Sequence, residues 1–430
     1  MSRYCLLALG SRGDVEPFIA LAQELTRRGH EVIIAAAEDY GFLVREQGLS
    51  FAPLVGRIAD LMDRAAVGAA LDGGPLGSLK LARQLQRDAA PLLACLLRDA
   101  IAAAQNCDAL LVASLGQCIA SSVSEALNGV PTAYVHFHPV APSRFYPDMF
   151  FPVLPLPGKL GDFYNQVTHI LGARALWYLL LPALNRARRR IGLPALSFLA
   201  LENVLRRQQA GLHLHGYSPA WVPPFRDWDP RRHVVTGYWR ENKVNLPLPA
   251  ELDAFLNAGT PPVYLGFGSI LAGRNPDAVT RLLVEAVNQA QMRGVLFGGW
   301  GDIGNVSLPS SVFLTRGAPH DALFPRCAVV MHHGGAGTTA AALYAGVPAV
   351  AVPVFGDQFF WAQRLYASGA SPAPLPRREL TAKRLAQAIL EARDNPEYKR
   401  QTRFLQATMQ TEDGPARAAD TLEAWQVNPF

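Results

Sequence analysis

Cysteine, charge and long apolar runs are all in short supply in this 430-residue chain, and each shortage excludes something. Cys5, Cys95, Cys107, Cys118 and Cys327 are odd in number and follow no metal or redox spacing, so they read as small core residues. Charged residues make up 17% of the chain and the formal net charge is +5. That balance is too small and dispersed for nucleic acid. It fits an anionic small substrate or a weak peripheral attraction to anionic membranes. The densest basic run, Arg186 to Arg190, reads as a solvated helix face. No run of about 18 apolar residues is apparent, so no membrane span is expected. The stretch Ser2 to Leu9 is too short for a signal peptide and reads as a first strand. The first glycine turn is not followed by Gly-x-Gly-x-x-Gly, which argues against a dinucleotide oxidoreductase. What is left is a soluble, cytoplasmic protein, of bacterial type by its Ala, Arg and Leu content.

What is present is rhythm. Half the residues are hydrophobic, ample for two or three domains. Strand and helix patterns alternate from Tyr4 to His136, which predicts a parallel sheet with helices on both faces. Residues 139–230 break the alternation with recurrent proline, clustered aromatics and an apolar segment from Ile170 to Leu184. This insertion reads as a packed subdomain, the wall of an apolar pocket, or both. Val234 to Tyr238 reads as the last strand of the first half, and Arg240 to Pro249 as a linker. The alternation then restarts at Pro262 and closes in helices. Ligands of such sheets sit at the carboxyl ends of the strands.

The most informative stretch is Val329 to Pro348. A short apolar strand runs into His332-His333-Gly334-Gly335-Ala336-Gly337, a turn with three glycines in four residues. A helix is expected from Thr338 to Ala345, stopped by Gly346-Val347-Pro348. Free N–H groups and the positive end of a helix dipole make such a turn an anion site, suited to phosphate or diphosphate. Thr338 and Thr339 add hydroxyls and His333 a ring N–H. Packing alone would also call for glycine here, but not for tandem His and tandem Thr. Asp357 and Gln358 stand side by side at a later strand–helix turn, where they offer acceptors and donors to a polyol or a plain helix N-cap.

Five motifs in order carry a resemblance. They are Gly10-Ser11-Arg12-Gly13-Asp14-Val15-Glu16-Pro17, Gly266-Phe267-Gly268-Ser269, Pro319-His320-Asp321-Ala322-Leu323-Phe324-Pro325, His332 to Thr339, and Phe355-Gly356-Asp357-Gln358-Phe359-Phe360-Trp361. With these the chain resembles two-domain (GT-B) nucleotide-sugar glycosyltransferases, nearest the branch that glycosylates sterols, macrolides, glycopeptide aglycones and lipids. The resemblance implies two Rossmann-like parallel-sheet α/β domains facing each other across a cleft. Residues 1–239 would bind the acceptor, 240–250 would link, 251–410 would bind the nucleotide sugar, and 411–430 would form a helix packing back on the first domain.

The resemblance also implies roles. His333, Gly335, Gly337 and Thr338 match the family's diphosphate cradle, with Ser269 beside it and Ser11 and Arg12 closing over it. Ala318 and His320 fall in the loop that reads the nucleobase, where plant relatives stack an aromatic residue and this chain has Gly317. Asp357 and Gln358 match the pair that holds the sugar. Asp14 stands where many relatives carry a histidine base; its alternative reading is an N-cap of the first helix. His138 is the alternative base, with His136 beside it. Plant relatives place a glutamate for the ribose where Ala341 stands, so UDP- and dTDP-sugars both remain open. The implied reaction is inverting transfer of a hexose, glucose foremost, to a hydroxyl of a lipophilic acceptor. It needs no metal and no cofactor beyond the nucleotide sugar. A nucleotide-sugar epimerase or isomerase and a non-catalytic sugar-nucleotide binder are the rivals. Acceptor identity and oligomeric state stay open.

Overall fold

Strand β1 (Arg3–Ala8) buries five of its six residues, and its two faces feed two cores. Tyr4, Leu6 and Ala8 join one apolar cluster, Cys5 and Leu7 another. A strand buried on both faces belongs inside a sheet covered by helices on each side. The computed structural model describes residues 1–55, 91–113, 116–149, 151–241, 247–266, 276–298, 306–354 and 356–427. Ser114, Phe150, Phe267, Gly268, Ser269, Trp300 and Phe355 lie outside the described residues.

The chain divides into two compact units. The first comprises residues 1–219, 223–241 and 413–430, and the second 220–222 and 242–412. In the first, β1 is followed by α1 (Arg12–Arg27), β2 (Glu31–Ala37), α2 (Gly41–Arg45) and β3 (Ser50–Leu54). Then come α3 (91–103), β4 (Ala109–Ala113), α4 (Gln117–Ala126) and β5 (Thr132–His136). The insertion supplies α5 (Gly158–Arg190) and α6 (Phe198–Ala210), followed by β6 (Leu212–His215) and β7 (His233–Val235). These strands form a seven-stranded sheet in the order β3-β2-β1-β4-β5-β6-β7, with every recorded pair parallel. Helix α1 buries Val15, Phe18, Ile19, Leu21, Ala22 and Leu25, the 3.6-residue stripe its sequence predicts, and ends before Gly29 at φ +85°.

The insertion holds one feature that the sequence reading passes over and one that corrects it. The aromatic, proline-rich stretch condenses onto one continuous 33-residue helix, α5. That helix contains an 18-residue window long and apolar enough to cross a membrane by length and composition, of which about 35% is buried. A search for an uninterrupted apolar run passes over it because Thr168, His169 and Arg174 break the run. The basic run at its end is not wholly solvated either. Arg186, Arg189 and Arg190 are exposed, but Arg188 is buried and donates to Pro194 O, Ser122 Oγ and Glu125 Oε2, each at 2.8 Å.

The second unit holds α7 (Ala250–Asn257), β8 (Val263–Gly266), α8 (Pro276–Gln289), β9 (Gly294–Phe297), β10 (Val312–Thr315), α9 (His320–Leu323), β11 (Val329–His332), α10 (Ala336–Ala345) and β12 (Ala349–Ala351). Helices α11 (Gln358–Ala367), α12 (Ala382–Asp394) and α13 (Pro396–Met409) complete it. Its five strands run β10-β9-β8-β11-β12, again parallel. Trp221, which clusters with this unit, is buried and stacks on Trp361 at 4.9 Å. The final helix, α14 (Gly414–Val427), returns to the first unit, where Ala418, Ala419, Leu422 and Trp425 enter the same core as α1.

Candidate functional site

In the second unit, β11 delivers the glycine turn at the carboxyl edge of the sheet. Gly334 is buried at φ +84°, a backbone state that favours glycine. Gly335 is the N-cap, and the helix begins at Ala336, two residues before the sequence suggests. Gly337 and Thr338 therefore sit inside the first turn, where amides have no intrahelical partner. The first bond of the helix runs from Thr339 N to Gly335 O at 3.0 Å. Thr339 departs from expectation: it is buried, and its hydroxyl donates back to Gly335 O at 2.8 Å. Thr338 remains half-buried at the helix start, and a side chain at Gly337 would meet open space. The His333 ring lies over Gly335, since a Cβ there would fall 2.4 Å from Nε2. Burial lowers the pKa of this ring, opposed by the carboxylate of Asp357 and the backbone of Gly266.

Asp357 and Gln358 abut the same turn: a Cβ on Gly334 would sit 2.9 Å from the carbonyl oxygen of Gln358. Asp357 occupies the N-cap position of α11 but makes no capping bond with its side chain. Its Oδ2 accepts instead from Trp361 Nε1, one turn on, at 2.9 Å. Gln358 is buried and its Oε1 accepts from Val354 N at 2.9 Å. Both side chains are thus held in place by the protein before any sugar arrives. In the Arg316 to His320 loop, Thr315 Oγ1 donates to Gly317 O at 3.1 Å, and Ala318 is half-exposed. His320 stacks on Phe324 at 4.3 Å. Space around Gly317 is open.

In the first unit, Asp14 lies in the third position of α1, and Ser11 is the N-cap, so the N-cap reading of Asp14 is replaced. Asp14 Oδ2 accepts from Ser11 N at 2.8 Å and Ser11 Oγ at 3.1 Å, the reach-back of a capping box. Gly10 is required here, because a Cβ would fall 2.1 Å from that oxygen. Tyr40 also lies in this neighbourhood: burial, then the charge of Asp14, raises its pKa. Arg12 donates to Glu16 at 3.0 Å on its own helix. His138 sits two residues past β5, half-buried, at the same edge of the sheet as Asp14. His136 is unsuited to be a base. It is buried, bonded to His213 at 2.9 Å and approached by Gln117 at 3.5 Å. Among the described residues no group of three or more His, Cys, Asp or Glu is placed to hold a metal ion.

Two family descriptions match the chain: Glycosyltransferase family 28 N-terminal domain over residues 4–147, and Erythromycin biosynthesis protein CIII-like, C-terminal domain, over residues 302–425. A sterol 3-beta-glucosyltransferase of Arabidopsis thaliana is 34% identical over 98% of this chain and 67% of its own length. The chain belongs to the two-domain glycosyltransferases. This glycosyltransferase is also similar to the sterol 3-beta-glucosyltransferase of Candida albicans, 35% identical over 90% of the chain and 25% of that protein. It spans about two thirds of the plant relative and a quarter of the fungal one. Among solved structures, the calicheamicin glycosyltransferase CalG4 is 17% identical, covers 100% of this chain over 99% of its own, and superposes with a TM-score of 0.67, a likeness of fold.

Proposed function

We propose that the protein moves a hexose, glucose foremost, from a UDP- or dTDP-sugar to the hydroxyl of a lipophilic acceptor, a sterol or related natural product, with inversion. The observation that carries this reading is the α10 turn: a helix N-terminus and His333 on one side, with Asp357 and Gln358 fixed against it. The turn suits the diphosphate, the pair suits the sugar hydroxyls, and the loop of Ala318 and His320 suits the base. Ser269 would add a hydroxyl to the phosphates, and Ser11 and Arg12 a further contact.

Asp14 takes the acceptor proton as that oxygen bonds to the anomeric carbon. The bond to the diphosphate breaks, and its electron pair leaves with the phosphate, stabilised by the helix end and His333. These groups receive the leaving charge, so neither a metal nor a further cofactor is invoked. The lipophilic acceptor is supported by Val153, Leu154, Leu160, Phe163, Ile170 and Leu171, large apolar side chains left exposed on and before α5. The same face would serve a shallow membrane contact. The experiment is calorimetric titration with UDP and dTDP, followed by transfer of labelled glucose to cholesterol. The reading expects binding of at least one nucleotide and acceptor-dependent transfer. Absence of binding to both nucleotides overturns it, and donor turnover indifferent to acceptor points to an epimerase.

A further inference from the structure

His332 has no part in the transfer just described, yet the structure gives it a specific task. It is the last residue of β11 and fully buried. Val329 and Met331 point into the apolar core under the sheet, so alternation turns His332 to the opposite face. Its ring Nδ1 accepts the backbone N–H of Gly334 at 2.9 Å. A backbone N–H only donates, so Nδ1 is bare and the ring carries its hydrogen on Nε2. That Nε2 is buried with no hydrogen-bond partner among the described residues. A buried donor left unsatisfied is a cost that a purely space-filling residue would avoid.

The bond has the form of an Asx turn, a side chain accepting from the N–H two residues on, made here by an imidazole. It binds the amide of Gly334, the buried residue at φ +84° whose neighbour on the other side is the Gln358 carbonyl. With that amide held inward, Ala336, Gly337 and Thr338 follow as the first-turn amides of α10. We propose that His332 is a positioning residue of the sugar-nucleotide half-site, its ring fixing the turn that presents His333 and the α10 amides to a nucleoside diphosphate. This rests on the function proposed above. Burial, with His333 and His320 nearby, lowers the pKa of His332 to about 3, which keeps the ring neutral and the bond intact at ordinary pH.

Two variants separate the role from mere packing. His332→Leu keeps volume and removes the acceptor. His332→Asn loses volume but keeps an oxygen able to close the same turn. Each is titrated with UDP and dTDP by calorimetry, melted thermally, and followed by amide hydrogen exchange over residues 332–338. His332→Leu is expected to melt within a few degrees of wild type yet bind at least about tenfold more weakly, with faster exchange in the turn. His332→Asn is expected to melt lower yet bind within about threefold of wild type. Wild-type affinity in His332→Leu, or losses in both variants that track melting temperature, overturns the proposal. If wild type binds neither nucleotide, the functional reading falls, and exchange still decides: turn amides as protected in His332→Leu as in wild type overturn the role of His332.

Discussion

Asp14 closes the start of α1, and in the proposed mechanism the same carboxylate is the base; neighbouring substitutions separate the two purposes. Asp14→Asn retains a side-chain oxygen for Ser11 N, so α1 should survive. Transfer should fall by roughly a hundred- to ten-thousand-fold, the usual contribution of a positioned base. Ser11→Ala removes the hydroxyl bond at 3.1 Å and the hydroxyl's half of the capping box. It should cost about 1 kcal/mol of stability and lower transfer far less than Asp14→Asn. Parallel melting curves and turnover numbers check both, and an Asp14→Asn enzyme at full rate would remove Asp14 from the mechanism. What is local was legible in the sequence: the strand, the glycine turn of Gly334 and Gly335 and the helix that follows. Partners set by tertiary placement were not. Nothing in the sequence says that Asp357 receives the Trp361 indole, that Thr339 turns inward, or that His332 seats the Gly334 amide.

Strands β5, β6 and β7 carry an element that sequence reading passed over. On one face of three adjacent strands lie His136, His213, His215 and His233, while Ala133, Val135, Leu212 and Leu214 take the other face and its apolar core. Their rings stack, His213 on His233 at 4.5 Å and His136 on His215 at 5.0 Å, with Trp228 on His215 at 4.3 Å. The carbonyl of Gln208 accepts from His213 Nε2 at 3.0 Å, which makes His213 Nδ1 the acceptor for His136 at 2.9 Å. Tyr217 bonds His215 at 3.1 Å, and Asp229 and Arg232 act on His233. The strand β6 was missed because Leu-His-Leu-His reads as polar alternation, and the rings are buried only because their partners come from distant strands.

Burial holds all four pKa values down, with repulsion from neighbouring histidines adding to it at His136, His213 and His215; the value falls to about 3 at His213 and about 4 at His233. The unfolded chain titrates near pH 6.5. A folded pKa below the unfolded one gives stability that is complete above the unfolded value and declines as pH falls towards the folded value. Each ring should therefore cost on the order of 1 kcal/mol by pH 5.5, a total comparable with the stability of many domains. Urea unfolding between pH 7.5 and 5.5 should show this decline. His213→Gln with His233→Phe should flatten it, and an equally steep slope in that double variant would contradict the account.

The whole molecule is two α/β units, and the restart of strand–helix alternation after Pro262 made that legible. What composition concealed is how the chain is shared between them, since residues 220–222 group with the second unit and 413–430 with the first. Helix α14 is fastened by Arg28, which reaches Asp420 at 2.6 Å and Glu423 at 3.0 Å, and by His30 to Glu423 at 2.9 Å. Exposed ion pairs contribute up to about 1 kcal/mol, whereas burying a side chain such as Leu422 contributes about 1.5–3 kcal/mol. Arg28→Ala should therefore lower the melting temperature of the first unit modestly. Leu422→Ala should cost about 2–5 kcal/mol of stability and lower the melting temperature further. Nucleotide titration should be unaffected by either, because α14 lies outside the second unit.

Helix α14 also imposes an order on the protein's manufacture. A ribosome adding roughly 5–20 residues each second completes β1 to β7 and then the whole second unit before it reaches Gly414. During that interval the side of α1 that α14 covers stays open to water. The second unit, made without interruption from residue 242 to 412, is free to fold meanwhile. The first unit is begun before the second and finished after it, and its exposed seam during synthesis is a natural place for a chaperone to hold.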